Sequence, residues 1–291
     1  MVHYIADSWK AKEVSSALGD GSLTDLYLPP HEIEASSSPE VAIVVPCYNC
    51  ELTIQRTIDS VLLQTYSHWK LYLVDDESTD CTLAILDAAQ ALDSRIAVLR
   101  SFPHRIRGPY YPRNVALALS SERFFCFLDA DDEWLPSKLQ LQLSFMLNND
   151  CKMSCTAYRD ISQGKNNLQR IVSPPTSIAF TKLLHKNYIG LSTVMIDRSV
   201  LASPGHLRFP FIRHEDYALW LSLMAENQIS MCAGMTEILV NRYLSPGSVS
   251  ANKLKSAAWI YGCYRYIKLS RTHSLWLMCR AIVFNVFARL G

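Results

Sequence analysis

No aspartate or glutamate follows Glu237. Eight lysines and arginines stand unopposed over the last 54 residues, while the part before them carries 20 basic and 27 acidic groups. A formal net charge of +1 therefore hides an acidic body with a basic end. So small a total leaves no overall field to draw the chain onto nucleic acid or an acidic polymer, and nucleic acid is not expected as a partner. Long apolar runs are also scarce. The longest, Leu275 to Leu290, has 16 residues and is broken by Arg280, too short to span a bilayer comfortably. Met1 to Lys12 has no apolar h-region and does not read as a signal peptide. Neither G-x-G-x-x-G nor the P-loop pattern occurs, which speaks against dinucleotide enzymes and ATPases. The nine cysteines are odd in number and scattered through a chain too long to be a stapled mini-protein, so they read as reduced and the protein as cytosolic. Cys47 and Cys50 have the spacing of half a zinc site, with Cys151 and Cys155 as a stretched second half. The strand-end position of Cys47 is better explained by a motif described below.

What is present is enough apolar residue, 49% of 291, to bury a large core. Residues 1–40 lack a clear period and end in a Ser-rich linker, Glu34 to Glu40, so a compact domain is expected over 41–250, with a C-terminal segment at 251–291. From Val41 the pattern alternates between strand and helix. An apolar strand at Val41 to Val45 precedes a helix from about Glu51 to Thr65, with Leu52, Ile54, Ile58, Val61 and Leu62 on one stripe. A strand at Trp69 to Val74 leads to a helix capped by Asp80, then to a strand at Ile96 to Leu99. A short helix after Pro112 comes before the strand Phe124 to Leu128. Such βα units with continuously apolar strands predict an α/β fold with a parallel sheet covered on both faces. Beyond Asp132 the spacing predicts helices at Pro136 to Asn148 and Glu215 to Glu226, strands at Lys152 to Tyr158, Thr193 to Ile196 and Ile238 to Leu244, and two tail helices at Ala251 to Leu269 and Ser274 to Arg289.

Ligands of open parallel sheets sit beyond the carboxyl ends of the strands. Here those ends read Pro46-Cys47-Tyr48-Asn49, Asp75-Asp76-Glu77-Ser78-Thr79-Asp80 and Asp129-Ala130-Asp131-Asp132. So many carboxylates on one rim repel one another unless cations or donors occupy it. A hard divalent cation, Mn²⁺ or Mg²⁺, held by one or two carboxylates and completed by phosphate oxygens, suits Asp131. Asp80 suits a helix cap instead. A nucleoside diphosphate bridged by the metal, with Arg113 beside it, is the ligand these residues fit.

The ordered set Val44 to Asn49, Leu73 to Asp80, Arg113-Asn114, Phe127 to Asp132 and Glu215 to Leu221 resembles the family 2 glycosyltransferases of the GT-A fold. The resemblance implies a mostly parallel sheet with a Rossmann-like nucleotide-binding half, an acceptor half and C-terminal helices. It implies an inverting transfer from a nucleotide-sugar, a UDP-sugar foremost, to a glycan or lipid-linked acceptor hydroxyl. By resemblance, Pro46, Tyr48, Asn49, Glu51 and Ala130 belong to the nucleotide-sugar site, Asp76 contacts the base, Asp129 the ribose region and Asp131 the metal. Arg113 flanks the nucleotide, Asp216 is placed like the family's base, and Glu215 orients the acceptor or caps the helix. The attack of a hydroxyl on an anomeric carbon needs such a base and a neutralised leaving diphosphate.

Two features depart from that pattern. Arg242 to Ser250 holds no histidine to reach the metal, and no Q-x-x-R-W follows Asp216, so one sugar addition is expected rather than polymerisation. His214 reads as an ordinary surface histidine, and His185 and His206 as structural. Alternatives are a sugar-phosphate nucleotidyltransferase, for which Tyr48 to Glu51 is the wrong loop chemistry, and an inactive membrane-associated scaffold. The tail interleaves Trp259, Tyr261, Tyr264, Tyr266, Trp276, Phe284 and Phe287 with Arg265, Lys268, Arg271 and Arg280. That composition suits peripheral contact with the cytoplasmic face of the inner membrane; packing on the catalytic domain or in a homo-oligomer is the alternative.

Overall fold

The structure, a computed structural model, describes residues 39–101, 108–162, 169–202, 206–244 and 253–287. The expected extension at 1–40 lies outside them except for its last two residues, as does the histidine-free stretch 245–250. The chain runs β1 (Val41–Cys47), α1 (Ile54–Leu62), β2 (Trp69–Asp75), α2 (Thr82–Leu92), β3 (Ile96–Arg100), α3 (Tyr110–Leu119) and β4 (Phe124–Phe127). After these come β5 (Glu133–Trp134), α4 (Lys138–Asn148), β6 (Met153–Ser162), β7 (Gln169–Val172), β8 (Ser177–Ala179), α5 (Phe180–Leu183) and β9 (Val194–Asp197). The series ends with α6 (Glu215–Ala225), β10 (Met231–Leu244), α7 (Lys253–Tyr266) and α8 (Arg271–Phe287).

One mixed sheet carries the strands in the order β3-β2-β1-β4-β9-β6-β10-β5, with β7 beside β6 and β8 beside β10. The β3-β2-β1-β4 half is wholly parallel, as the apolar runs predict. β9 enters antiparallel to both β4 and β6 and so joins this half to the second one. Period-two geometry divides β1 between two cores. Ala42 and Val44 join one cluster, and Val41, Ile43, Val45 and Cys47 the other. Both faces of the strand are thus shielded, which is why it reads as an unbroken apolar run.

Several boundaries differ from the sequence pattern for local reasons. α1 begins at Ile54 because residues 51–53 form a turn, in which the Thr53 and Ile54 N–H groups both donate to the Cys50 carbonyl. Leu52, counted on the apolar stripe, is consequently 92% exposed. β10 starts seven residues before the expected Ile238, because its register shifts between Gly234 and Val240 break the apolar alternation. Part of the polar segment after Tyr158 pairs as the β6-β7 ribbon. The tail helix α7 packs against α6: Cys263 and Tyr264 are fully buried in the same core as Tyr217 and Trp220. Tyr264 thus faces protein, whereas Tyr266 and Trp276 are exposed.

Candidate active site

The ends of β1, β2 and β4 open onto a cleft of about 680 Å³, closed on its far side by residues 213–216 and by Trp259 of α7. Pro46, Tyr48, Asn49, Asp76, Arg113, Asp129, Ala130, Asp131, Glu215 and Asp216 all line it. Nine of the ten groups expected near a nucleotide-sugar and its metal are thereby brought together with the candidate base, although Pro46 and Asp216 lie far apart along the chain. Glu51 alone falls outside this lining. Its carboxylate accepts the Cys81 N–H at 2.8 Å and so serves the start of α2.

The loops after β1 and β2 are fastened to each other. The Asp76 N–H donates to the Cys47 carbonyl at 2.8 Å, and the Asn49 side chain accepts the Thr79 N–H at 2.8 Å. Asn49 and Glu77 take positive φ angles of 46° and 62°, a region that costs a glutamate energy and is held by its surroundings. Asp80 accepts the N–H groups of Thr82 and Glu51, and so ties the two loops together. The Ser101 hydroxyl donates to Asp76 at 2.6 Å.

From below, α1 supports the Asp129-Ala130-Asp131-Asp132 turn. Arg56 donates to the Asp131 carbonyl at 2.7 Å, and the Thr57 hydroxyl reaches the carbonyls of Ala130 and Asp132. Ser192, just before β9, donates to the Asp132 carboxylate at 2.6 Å and accepts the Asp129 N–H at 3.2 Å. Burial and the neighbouring Asp129 push the Asp131 carboxyl up. Burial does the same more strongly to Asp132. Among the described residues no cluster of three or more His, Cys, Asp or Glu is arranged to hold a metal. A Mg²⁺ or Mn²⁺ ion bound largely through phosphate needs no such cluster. An oxygen donor whose negative charge is disfavoured by burial and a second carboxylate fits that ion, because the cation removes the cost.

Arg113 is the link between the halves. Its guanidinium, 3% exposed, donates to Asp129 and to Glu215 at 2.7 Å each. Glu215 is therefore paired with the arginine, and Arg113 spans the two carboxylates while lining the cleft. Two carboxylates on one buried cation also make removal of that cation costly.

Asp216 stands at the start of α6. Burial, with Glu215 beside it, raises its pKa to about 6. Asn187 donates to its carboxylate at 3.3 Å. Just before it, His214 occupies the left-handed region at φ 57°, bonds Ser256 of α7 at 3.1 Å, and is driven toward its neutral form by burial. The expected surface histidine is thus half-buried and structural. His185 and His206 lie outside the cleft lining. Asn187, Ser192, Arg213 and Trp259 were not singled out as site residues by sequence reasoning. Their positions follow from long-range packing and leave no local motif.

The profile of the family described as Glycosyl transferase family 2 matches residues 42–202. Across 217 residues, 74% of this chain and 81% of the relative, the sequence is 40% identical to the Escherichia coli UDP-Glc:alpha-D-GlcNAc-diphosphoundecaprenol beta-1,3-glucosyltransferase WfgD. The fold is similar to that of S. aureus TarS in complex with UDP-GlcNAc, at TM-score 0.65 and 18% identity over 84% of this chain and 71% of that one. It is also similar to that of a Pyrobaculum calidifontis mannosyltransferase in complex with GDP-Man and Mn²⁺, at TM-score 0.60 and 16% identity over 97% and 81% of the two chains. A carboxylate-rimmed cleft at the ends of parallel strands, the family profile and the curated relative agree: the chain is a glycosyltransferase and belongs to glycosyl transferase family 2.

Proposed function

We propose that the enzyme transfers one sugar, with inversion, from a UDP-sugar to a hydroxyl of a lipid-linked, diphosphate-bearing glycan. The observation that carries this reading is Asp216, a carboxylate with a pKa raised to about 6, which shares the cleft with the Asp129–Asp131 rim. A carboxylate titrating near neutrality is matched to taking a proton from an alcohol as that alcohol attacks. The acceptor oxygen forms its bond to the anomeric carbon from one face while the bond to the diphosphate breaks on the other, and the acceptor proton passes to Asp216. Asp76, with Pro46, Tyr48 and Asn49, forms the wall proposed for the nucleoside. Asp131, with Asp129 beside it, would hold Mn²⁺ or Mg²⁺, whose chemistry is to neutralise the departing diphosphate. Arg113 fixes Asp129 and Glu215, and so sets the spacing of the donor and acceptor walls.

The lipid-linked acceptor follows the named activity of the Escherichia coli relative, and the UDP donor follows that relative and TarS. No described helix is long and apolar enough to cross a membrane. Peripheral attachment at the cytoplasmic face, through exposed tail residues such as Trp276, is the placement that suits such an acceptor. The test is transfer from UDP-glucose to N-acetylglucosaminyl diphosphate carrying an alkyl chain, with Mn²⁺, followed by determination of the anomeric configuration. Asp131→Ala should abolish metal-dependent UDP binding. A variant that binds UDP and Mn²⁺ as the parent does would remove Asp131 from the metal site, and a product of retained configuration would overturn the mechanism.

A further inference from the structure

The far wall of the cleft is built partly from the tail. Trp259 of α7 lines the same cavity as Asp131 and Asp216, and three ties hold its helix to the segment just before the candidate base. His214 bonds Ser256 at 3.1 Å. The Cys263 thiol lies 3.7 Å from the Arg213 carbonyl and 3.5 Å from that of His214. The His214 ring meets the Trp259 ring edge to face at 5.5 Å between centroids. Trp259 is thereby fixed while remaining part of the cleft lining. Beside it, Arg213 is exposed and lines the cleft too, its guanidinium carbon 5.8 Å from the centre of the indole, within range of a cation–π contact that orders the side chain.

We infer that Trp259 and Arg213 form the acceptor subsite, in which the indole supports the apolar face of the acceptor sugar and the guanidinium binds the diphosphate attached to it. This inference rests on the proposed function above and goes beyond it by assigning the acceptor to Trp259 of α7 and to Arg213 in the segment before α6. The donor half already supplies its own walls at Pro46 to Asn49, Asp76 and Asp129 to Asp131. An aromatic platform and an arginine on the side of the proton-accepting carboxylate are left for the second substrate. A pyranose presents a face of C–H groups that packs on a flat ring, and tryptophan offers a large, rigid surface at low entropic cost. A guanidinium matches paired phosphate oxygens better than any other side chain does. The close approach of the two groups suits a ligand whose sugar and diphosphate are directly joined.

Calorimetric titration of the full chain at saturating UDP, using two probes, tests this. One probe is the alkyl ester of N-acetylglucosamine α-diphosphate; the other is the matching neutral alkyl α-glycoside. The parent should bind the diphosphate probe at least tenfold more tightly than the glycoside. Arg213→Ala should erase that preference and leave glycoside binding as it was. Trp259→Ala should weaken both probes about tenfold, and Trp259→Phe should restore most of the loss. UDP affinity should stay at the parental value in all three variants, while the melting temperature should fall only in Trp259→Ala, which loses the ring contact with His214. Unchanged probe affinities in Trp259→Ala, a preserved diphosphate preference in Arg213→Ala, an equal loss of UDP affinity, or a parent that binds neither probe would each overturn the assignment. Failure of the proposed function looks different: the diphosphate probe would bind but receive no glucose from UDP-glucose.

Discussion

Replacing Asp216 with asparagine should make the protein more stable and nearly inactive at once. In the folded protein burial and Glu215 raise this carboxyl from an ordinary 3.8 to about 6, which is equivalent to about 3 kcal/mol of penalty on the charged form. The sign follows from proton linkage. The folded state holds its proton more tightly than the unfolded chain, so between about pH 4 and pH 6 stability falls as pH rises, and above that window the penalty is constant. Asp216→Asn removes the charge at almost constant volume, and the introduced amide can turn its oxygen toward Asn187, which now donates to the carboxylate. Because the side chain faces an open cleft, solvent screening and relaxation should reduce the gain to roughly 1–2 kcal/mol at pH 8. Near pH 4 the variant and the parent should be equally stable. Chemical denaturation at a series of pH values measures this directly. Transfer should fall by roughly 10²-fold or more with UDP affinity retained. In the parent, kcat/KM should decline as pH drops through about 6. A variant no more stable than the parent at pH 8 would refute the buried-charge reasoning, and normal turnover would move the base elsewhere, with Glu215 next.

Two further outcomes follow from the packing. Arg113→Ala leaves Asp129 and Glu215 without the cation each contacts at 2.7 Å, and thermal or chemical unfolding should register a loss of about 2–3 kcal/mol, below the range for a fully buried pair because Asp129 is partly exposed. Arg113→Lys should recover only part of it, because one ammonium cannot reproduce the two-pronged geometry. Gly234→Ala would place a methyl 2.0 Å from the Pro175 carbonyl oxygen, a backbone contact that cannot swing aside. That variant should be expressed mainly as insoluble protein, and a normal melting temperature would show that the 174–176 segment yields.

The parallel half of the sheet is legible in the residues alone. Its strands are apolar on both faces, so each reads as an unbroken run, and the carboxylates that follow β2 and β4 stand in contiguous clusters. Parallel topology then brings all the strand ends to one rim, where Asp76, Asp129 and Asp131 meet. The paired acids Glu215 and Asp216 likewise make the start of α6 visible as a motif.

Tertiary structure alone decided what those acids face. That Arg113 sits between Asp129 and Glu215 depends on how α3 lies against α6, across a separation of 102 residues. Glu51 reads as a cleft residue by its place in a motif, yet the turn that precedes α1 points its carboxylate at Cys81. The proton affinity of Asp216 comes from burial that no local spacing encodes. Most of all, the composition of the tail suits a membrane surface and a protein interface equally well. The ring of Tyr264 is buried because α7 docks on α6, and the same docking carries Trp259 into the cleft. Helical periodicity shows that a face is apolar; only the packed fold selects what covers it.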